Sequence, residues 1–571
     1  MKKEFVTETK APNVYDTIII GSGVGGLTSA ICLARAGQKV LVLEQHDVPG
    51  GWCHSFYLNG YRFTPGVHYV GLMSPGESSN QLYAGLGIAN DIGFYRMNPK
   101  GFDHCWIGDE RFNYSANWEE FQQDLIAKFP HEKKGIIKYL RLVRNVGRQL
   151  QLIPKVKGLW QQLTIPFRTK HMGKYSPFTL KRVINWHVKD PLLQNILNIQ
   201  FGNHGLPPAK ASFIMHAAIM CHYAEGGFYP MGGGGALVKA MTNKIKSFQG
   251  TVKTSASVKR ILLEKGIKNK KAVGVELASG EKIFAQRIIS NADPGITYLN
   301  LIGKENLSAK LLKKLNKTTY SCTSLMLFLT VDMDVKKAGL DSGNIWKIPN
   351  QDMDDSFADM QKKDILEGEE FSGMFISCTS LKDPISFDGR YHTLEAITYI
   401  HYDAFEKFKG ETTERSPEYL AFKEQIINKF LVTLEKVVPG ITSKIVHKEL
   451  GTPMTNEYYI NSTEGSVYGT EKSLRHIGPF AYKPKTEIEN LYMCGASIAA
   501  HGVTGAGYSG VQTAATILGC QQDDLLKEDK TQELRIFEAE DASNYPDWML
   551  KKMEVKKQRL AKNDVFQNVD K

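Results

Sequence analysis

The chain has 571 residues, 42% of them apolar and no long biased tract, which excludes a disordered or fibrous protein and allows one large core or two domains' worth of core. Its formal charge of +11 is a modest excess at this size, compatible with nucleic acid, an anionic membrane surface or nothing specific; the membrane surface is favoured and no nucleic-acid partner is expected. No run approaches the roughly 18 apolar residues needed to cross a bilayer, so membrane contact is expected to be peripheral.

In chain order, the first informative element is Tyr15-Asp-Thr-Ile-Ile-Ile20, a short β-branched run that enters Gly21-Ser-Gly23-Val-Gly25-Gly26. Leu27 to Ala36 then reads as a helix ending at Gly37, and a second apolar run, Lys39-Val-Leu-Val-Leu43, delivers Glu44. Strand, glycine-rich turn, helix, strand and acid at this spacing predict a dinucleotide-binding βαβ unit. Gly21 allows the tight turn, Gly23 lets backbone approach a pyrophosphate, Gly26 lets helix and strand pack, and the helix N-terminus offers free N–H groups. Glu44 is expected to accept from the adenosine ribose. Pro49-Gly50-Gly51 supplies a second close backbone approach, a feature of FAD enzymes of the glutathione-reductase type, so FAD is preferred over NAD.

The stretch from Glu44 through Gln45, Gly50, Gly51 and Trp52 to Val67-His68-Tyr69-Val70-Gly71 resembles retinol saturases and their relatives, the phytoene desaturases and carotenoid isomerases. Two further blocks agree, in the same order. Gly226-GFYPMGGGGALVKAM241 leads into Val258-KRILLEK265 and on to Ser290-Asn-Ala-Asp-Pro294; Asn490-LYMCGASIAAHGVTGAGYSGVQTA514 is similar to the family's terminal FAD block. The resemblance implies a discontinuous Rossmann-type FAD-binding domain (14–91, 226–295 and 452–520), an inserted α+β substrate domain (92–225 and 296–451) and a charged tail (521–571). It places Val258 beside the adenine, and Gly495, Ala496 and Ser497, after which comes a Ser509-Gly510 turn, beside the flavin. One departure stands out: many flavoproteins carry an Asp where this chain has Ala496, so the ribitol contact passes to backbone N–H or to Ser497.

The resemblance also implies chemistry on carbon–carbon double bonds of an apolar polyene. The protein's task is then to hold the polyene across the flavin, and saturation further requires a proton donor. His68 and Tyr69, just after the Thr64-Pro65-Gly66 turn expected to line the flavin, and His501 and Tyr508 in the last block are the candidates. His204 and His222 rank below them, and Cys53 reads as a packing thiol. Gly232 to Gly235 opens a helix without a preceding apolar strand and reads as close packing against the flavin or substrate path. No second βαβ fingerprint marks an electron donor. The eight cysteines contain no CxxC pair and no metal-ligand cluster, which predicts a reducing compartment and no metal. With no signal-peptide core in the opening residues, a cytoplasmic location is expected and the sequons at Asn113, Asn316 and Asn461 are expected to be silent.

Between these blocks, Ile136, Leu140, Val143, Val146, Leu150 and Ile153 recur at helical spacing among Lys138, Arg141, Arg144 and Arg148, a basic amphipathic helix suited to a membrane surface. Runs at Ser321–Val331, Gly373–Cys378 and His392–His401 read as strands and Pro417–Val437 as a helix, predicting an antiparallel sheet with helices over it. The tail segment 547–563 reads as a second basic helix or a frayed end. Saturation, desaturation and cis–trans isomerisation share one such site. Amine oxidation would ask for an aromatic cage, and a non-catalytic prenyl-partner protein of the GDP-dissociation-inhibitor type would have no need of the intact glycine fingerprint.

Overall fold

The structure, a computed structural model, describes residues 15–152, 164–266, 270–411, 414–498, 500–527, 529, 531–556 and 558. Val14, Ile153 and the last part of the tail helix, 559–563, lie outside the described residues. The strand Tyr15–Ile20 is central in a seven-stranded sheet, parallel to Val40–Leu43 on one side and to Lys282–Ser290 on the other. Thr251–Lys253 and Leu491–Met493 extend the parallel part. The antiparallel strands Val258–Lys265 and Lys270–Leu277 lead into the first half of Lys282–Ser290, so this hairpin returns the chain to the sheet as the pattern predicts. Ile18 and Ile19 have no exposure: Ile19 faces Leu27, Ile31 and Leu33 of the helix Val24–Arg35, and Ile18 faces the opposite side with Val275 and Leu301. Near-continuous apolar strands of this kind belong to a parallel sheet covered on both sides.

A second seven-stranded sheet contains Thr323–Val331, Met374–Cys378 and His392–Ile400, close to the expected runs, and the helix Pro417–Val437 packs beside it. It is mixed and not purely antiparallel: Asn344–Ile348 runs parallel to Asp103–Ile107, which brings the hairpin Asp103–Ile107 and Glu110–Tyr114 onto its edge. The basic helix spans Lys133–Leu150. Ile136, Leu140, Val143 and Val146 are buried, while Lys138, Arg141, Arg144 and Arg148 are exposed. Among the described residues no helix is long and apolar enough to cross a membrane.

The tail departs from a merely charged extension. Arg535–Glu538 pairs parallel with Gly93–Arg96, which pairs antiparallel with Phe228–Pro230, and residues 547–556 are helical with Met549 fully buried. Strand Phe228–Pro230 also precedes the glycine run after all. A Cβ on Gly233, Gly234 or Gly235 would lie within 3 Å of Thr64, Cys53 or Ser55, so these glycines admit the Cys53–Thr64 segment instead of lining the path expected for flavin or substrate.

Candidate functional site

The first turn and the terminal block meet backbone to backbone. A Cβ on Gly25 would stand 2.8 Å from Gly495 N and 2.7 Å from Asn291 Oδ1, and one on Gly23 would stand 2.6 Å from Asn291 Nδ2. A Cβ on Gly51, at φ +55°, would stand 3.3 Å from the Cα of Gly23. Gly26 lies behind this cradle, where a Cβ would meet Gly21 O at 2.3 Å, the helix-against-strand packing expected of it. Glu44 is nearly buried; its Oε2 accepts from Ser22 N at 2.9 Å and Ser22 Oγ at 2.6 Å, and its Oε1 from His46 N at 3.0 Å. Three of about four lone-pair sites are thereby used, leaving one for a ligand hydroxyl.

One cavity of about 1340 Å³ runs through this cradle. Gly21, Gly23, Gly25, Glu44, Gln45, Gly50, Gly51, Trp52, Val258, Gly495, Ala496 and Ser497 all line it; Gly26 does not. At one end Ala256 and Val258 close over Glu44, whose carbonyl accepts from Ala256 N at 2.8 Å. At the other, Gly495 N donates to Ser509 Oγ at 2.7 Å, and the helix Gly502–Leu518 points its N-terminus at the wall. Ser509 and Gly510 are helical residues and not a turn; a Cβ on Gly510 would meet Gly25 O at 2.3 Å, so the pair serves helix-to-helix approach.

Beyond the cradle the wall becomes apolar and aromatic, with Met215, Ile219, Tyr223, Trp346, Phe375 and Ile397. His68, Tyr69, His501 and Tyr508 all line the cavity, as do His222 and Cys53, whereas His204 lies outside its wall. Of the turn before His68, Pro65 and Gly66 line it. His501 Nε2 lies 2.5 Å from Asn203 O, and burial holds its imidazole down to about 3, with Lys472 adding to the effect. Burial likewise lowers His222 to about 4, and its Nε2 accepts from Gly71 N at 2.8 Å. Both are neutral imidazoles at pH 7. The Tyr508 hydroxyl donates to Ser78 O at 3.0 Å, and burial raises it to about 12. Burial also pushes the Cys53 thiol up to about 12, which suits packing and not reactivity.

His68 Nδ1 stands 3.2 Å from Glu395 Oε2, within ion-pair distance though neither atom is aligned as a hydrogen bond, and the residue also lines the cavity. Glu395 is fully buried and its Oε1 accepts from Thr64 N at 3.0 Å. The buried Lys382 Nζ donates to His68 O at 2.9 Å, to Ser377 Oγ at 2.7 Å and to Asn344 Oδ1. Desolvation lowers this ammonium to about 7, against the opposing pull of Glu395 and Asp103. Asp103, also fully buried, accepts from Tyr69 OH at 3.0 Å, Gln200 Nε2 at 3.0 Å and Asn344 Nδ2 at 2.9 Å; burial raises its carboxyl despite these donors. Sequence reasoning missed Glu395, Lys382, Asp103 and Asn291. The one available signal was Glu395 interrupting the apolar strand run His392–Ile400, where a charge must have a partner; Lys382, at the end of the short helix Thr379–Lys382, carried none.

Fold and site define an oxidoreductase of the dinucleotide-binding class, built on a Rossmann-like domain with mixed α/β sheets; the family described as NAD(P)-binding Rossmann-like domain matches residues 19–86. Within that class the chain resembles the retinol saturases and carotenoid isomerases. It is 29% identical to all-trans-retinol 13,14-reductase of Danio rerio over 541 residues, covering 91% of this chain and 88% of the relative. It is 28% identical to the chloroplastic prolycopene isomerase of Daucus carota over 534 residues, covering 89% and 81%. Among solved structures, an oxidoreductase from Methanosarcina mazei shares the fold at a TM-score of 0.58 and 17% identity, covering 88% of this chain and 100% of its own.

Proposed function

We propose that the chain is an FAD-dependent oxidoreductase acting on a carbon–carbon double bond of a long apolar polyene of the retinoid or carotenoid class, with saturation as the preferred direction. The observation that carries this reading is the single cavity of about 1340 Å³ joining a glycine cradle to an apolar, aromatic wall. That volume exceeds the roughly 300–1,000 Å³ of a site for one drug-sized ligand, so cofactor and substrate fit end to end. The names of the two relatives, a retinol reductase and a prolycopene isomerase, support a polyene.

The cradle fits the cofactor because Gly21, Gly23, Gly25, Gly50 and Gly51 present bare backbone to the cavity, while Gly23 and Gly25 also admit Asn291 and the Gly495 backbone that a Cβ would displace. In this reading the backbone of Gly21, Gly23, Gly25, Gly50 and Gly51 holds the pyrophosphate, with Gln45 and Trp52 alongside. Glu44 takes a ribose hydroxyl, Val258 covers the adenine, and Gly495, Ala496 and Ser497 border the ribitol and ring. Bound flavin supplies hydride transfer at N5. Trp346, Phe375 and Ile397 exclude water and orient the polyene. His68 delivers a proton while Glu395 stands beside its Nδ1. Cis–trans isomerisation on the same site is the second reading; the His68–Glu395 pair favours saturation, because only saturation consumes a proton.

Residues 14–91, 226–295 and 452–520 then form the cofactor domain and 92–225 with 296–451 the substrate domain. The helix Lys133–Leu150 places Gly147 and Leu150 on the cavity wall and its basic face outward, a geometry suited to docking on an anionic membrane surface at the cytoplasmic side. The test is an absorption spectrum of the purified protein incubated with FAD, then anaerobic dithionite reduction and addition of all-trans-retinol or prolycopene, with products resolved by chromatography. A yellow protein yielding a dihydro product supports the first reading and one yielding only a geometric isomer the second. A protein that stays colourless overturns both and favours the non-catalytic prenyl-partner alternative.

A further inference from the structure

Lys472 is 3% exposed and lies directly behind the Ala496 end of the cavity wall. Its Nζ donates to the Ala496 carbonyl at 2.6 Å, and among the described residues it forms no ion pair with a carboxylate. A buried ammonium normally has an anionic partner, since leaving it alone costs several kcal/mol. Desolvation without an opposing carboxylate lowers its affinity for the proton, to about 7.

Its surroundings add positive potential. The helix Gly502–Leu518 directs its N-terminus at the same wall, and His501, which precedes that helix, is a neutral imidazole whose own protonation Lys472 opposes. Ala496 stands where many flavoproteins carry an aspartate. At position 496 the wall therefore carries no carboxylate, and a cation sits one carbonyl behind it. A site so arranged is complementary to a ligand that is neutral on arrival and becomes negative in place.

We propose that Lys472 is the counter-charge of the reduced flavin, stabilising the anionic two-electron form over the neutral oxidised form and so raising the cofactor's midpoint potential. This rests on the FAD reading above. Two-electron reduction with uptake of one proton would leave the bound cofactor with one negative charge, and Lys472 and the N-terminus of Gly502–Leu518 are the groups that would balance it. Lys472 is a positioning charge, not a group that reacts.

The experiment uses the full-length protein loaded with FAD, together with Lys472→Met, which keeps length and removes charge, and Lys472→Arg, which keeps charge. Midpoint potentials are read by anaerobic dithionite titration against reference dyes, and oxidised-FAD affinity by flavin fluorescence. Lys472→Met is expected to bind oxidised FAD nearly as well as the parent but to hold reduced FAD about tenfold less tightly, a fall of about 30 mV for a two-electron couple. Lys472→Arg is expected to keep the parent potential. Equal potentials in parent and Lys472→Met overturn the proposal and leave the FAD reading standing; a parent that takes up no FAD overturns both. Should Lys472→Met fail to fold, Lys472→Gln is titrated in its place: a fall of about 30 mV supports the proposal and an unchanged potential overturns it.

Discussion

Ser22 Oγ donates to Glu44 Oε2 at 2.6 Å while accepting from Gly50 N–H at 2.9 Å, so one buried hydroxyl ties the acid after the second strand to the second glycine turn. Hydrogen bonds to charged groups are worth about 1.5–3 kcal/mol, and about 1.4 kcal/mol is tenfold in affinity. Ser22→Ala is expected to weaken FAD binding by about tenfold or more in a fluorescence titration of the apoprotein. An unchanged Kd would show that this hydroxyl does not couple the two turns.

Gly510 packs so close to Gly25 O that a methyl has no room without moving the helix Gly502–Leu518 away from Val24–Arg35. Gly510→Ala is expected to lose about 1–3 kcal/mol of stability, the usual cost of overpacking, along with FAD retention. Gly173, a helical glycine with nothing within 4 Å of its would-be Cβ, is the control: Gly173→Ala should leave the urea midpoint unchanged or raised.

His68→Gln removes the proposed proton donor without touching the glycine cradle. Anaerobic single-turnover oxidation of the reduced flavin by the polyene should slow by about 10²–10⁴-fold, the range of general acid catalysis, with FAD affinity retained. Glu395→Gln, which keeps an acceptor for Thr64 N–H, should slow the same step less. If product turns out to be a geometric isomer formed at the parent rate in His68→Gln, saturation is the wrong direction.

The buried imidazoles make stability depend on pH. His216 and His222 are held to about 4 and His501 to about 3, chiefly by burial. The unfolded chain protonates its histidines near 6.5, so between about pH 4 and 6.5 it binds more protons than the fold does. Stability present above pH 6.5 is therefore expected to fall as pH drops through that window, read as a lower urea midpoint at pH 5 than at pH 7.5. His216→Asn should make the fall shallower; equal midpoints at both pH values would mean that these rings are charged in the fold.

Phe167 is 81% exposed and Trp186 48% exposed, with Arg182 stacked 5.3 Å over the Trp186 ring. Aromatic side chains among basic ones suit a bilayer interface. Reversing Arg141, Arg144 and Arg148 to Glu should abolish co-sedimentation with anionic vesicles, each basic residue near the surface contributing about 1 kcal/mol. Binding to neutral vesicles with equal strength would argue for aromatic insertion alone.

Local order determined much of this protein in advance. The βαβ turn, the hairpin that returns through Val258, and the strand and helix runs of 321–437 were legible because apolar periodicity, β-branching and glycine positions act over a few residues. The same locality explains the misses. Ser509 and Gly510 read as a turn, yet burial against Gly25 keeps them helical; the charged tail reads as an extension, yet Arg535–Glu538 finds the free edge of Gly93–Arg96. Only the tertiary structure brings His68 to Glu395 across 327 positions of sequence and Lys382 to the His68 carbonyl. Which buried charges become partners, and which, like Lys472, have no carboxylate partner among the described residues, is decided by desolvation once the sheets pack, a long-range cost that no short window of sequence carries.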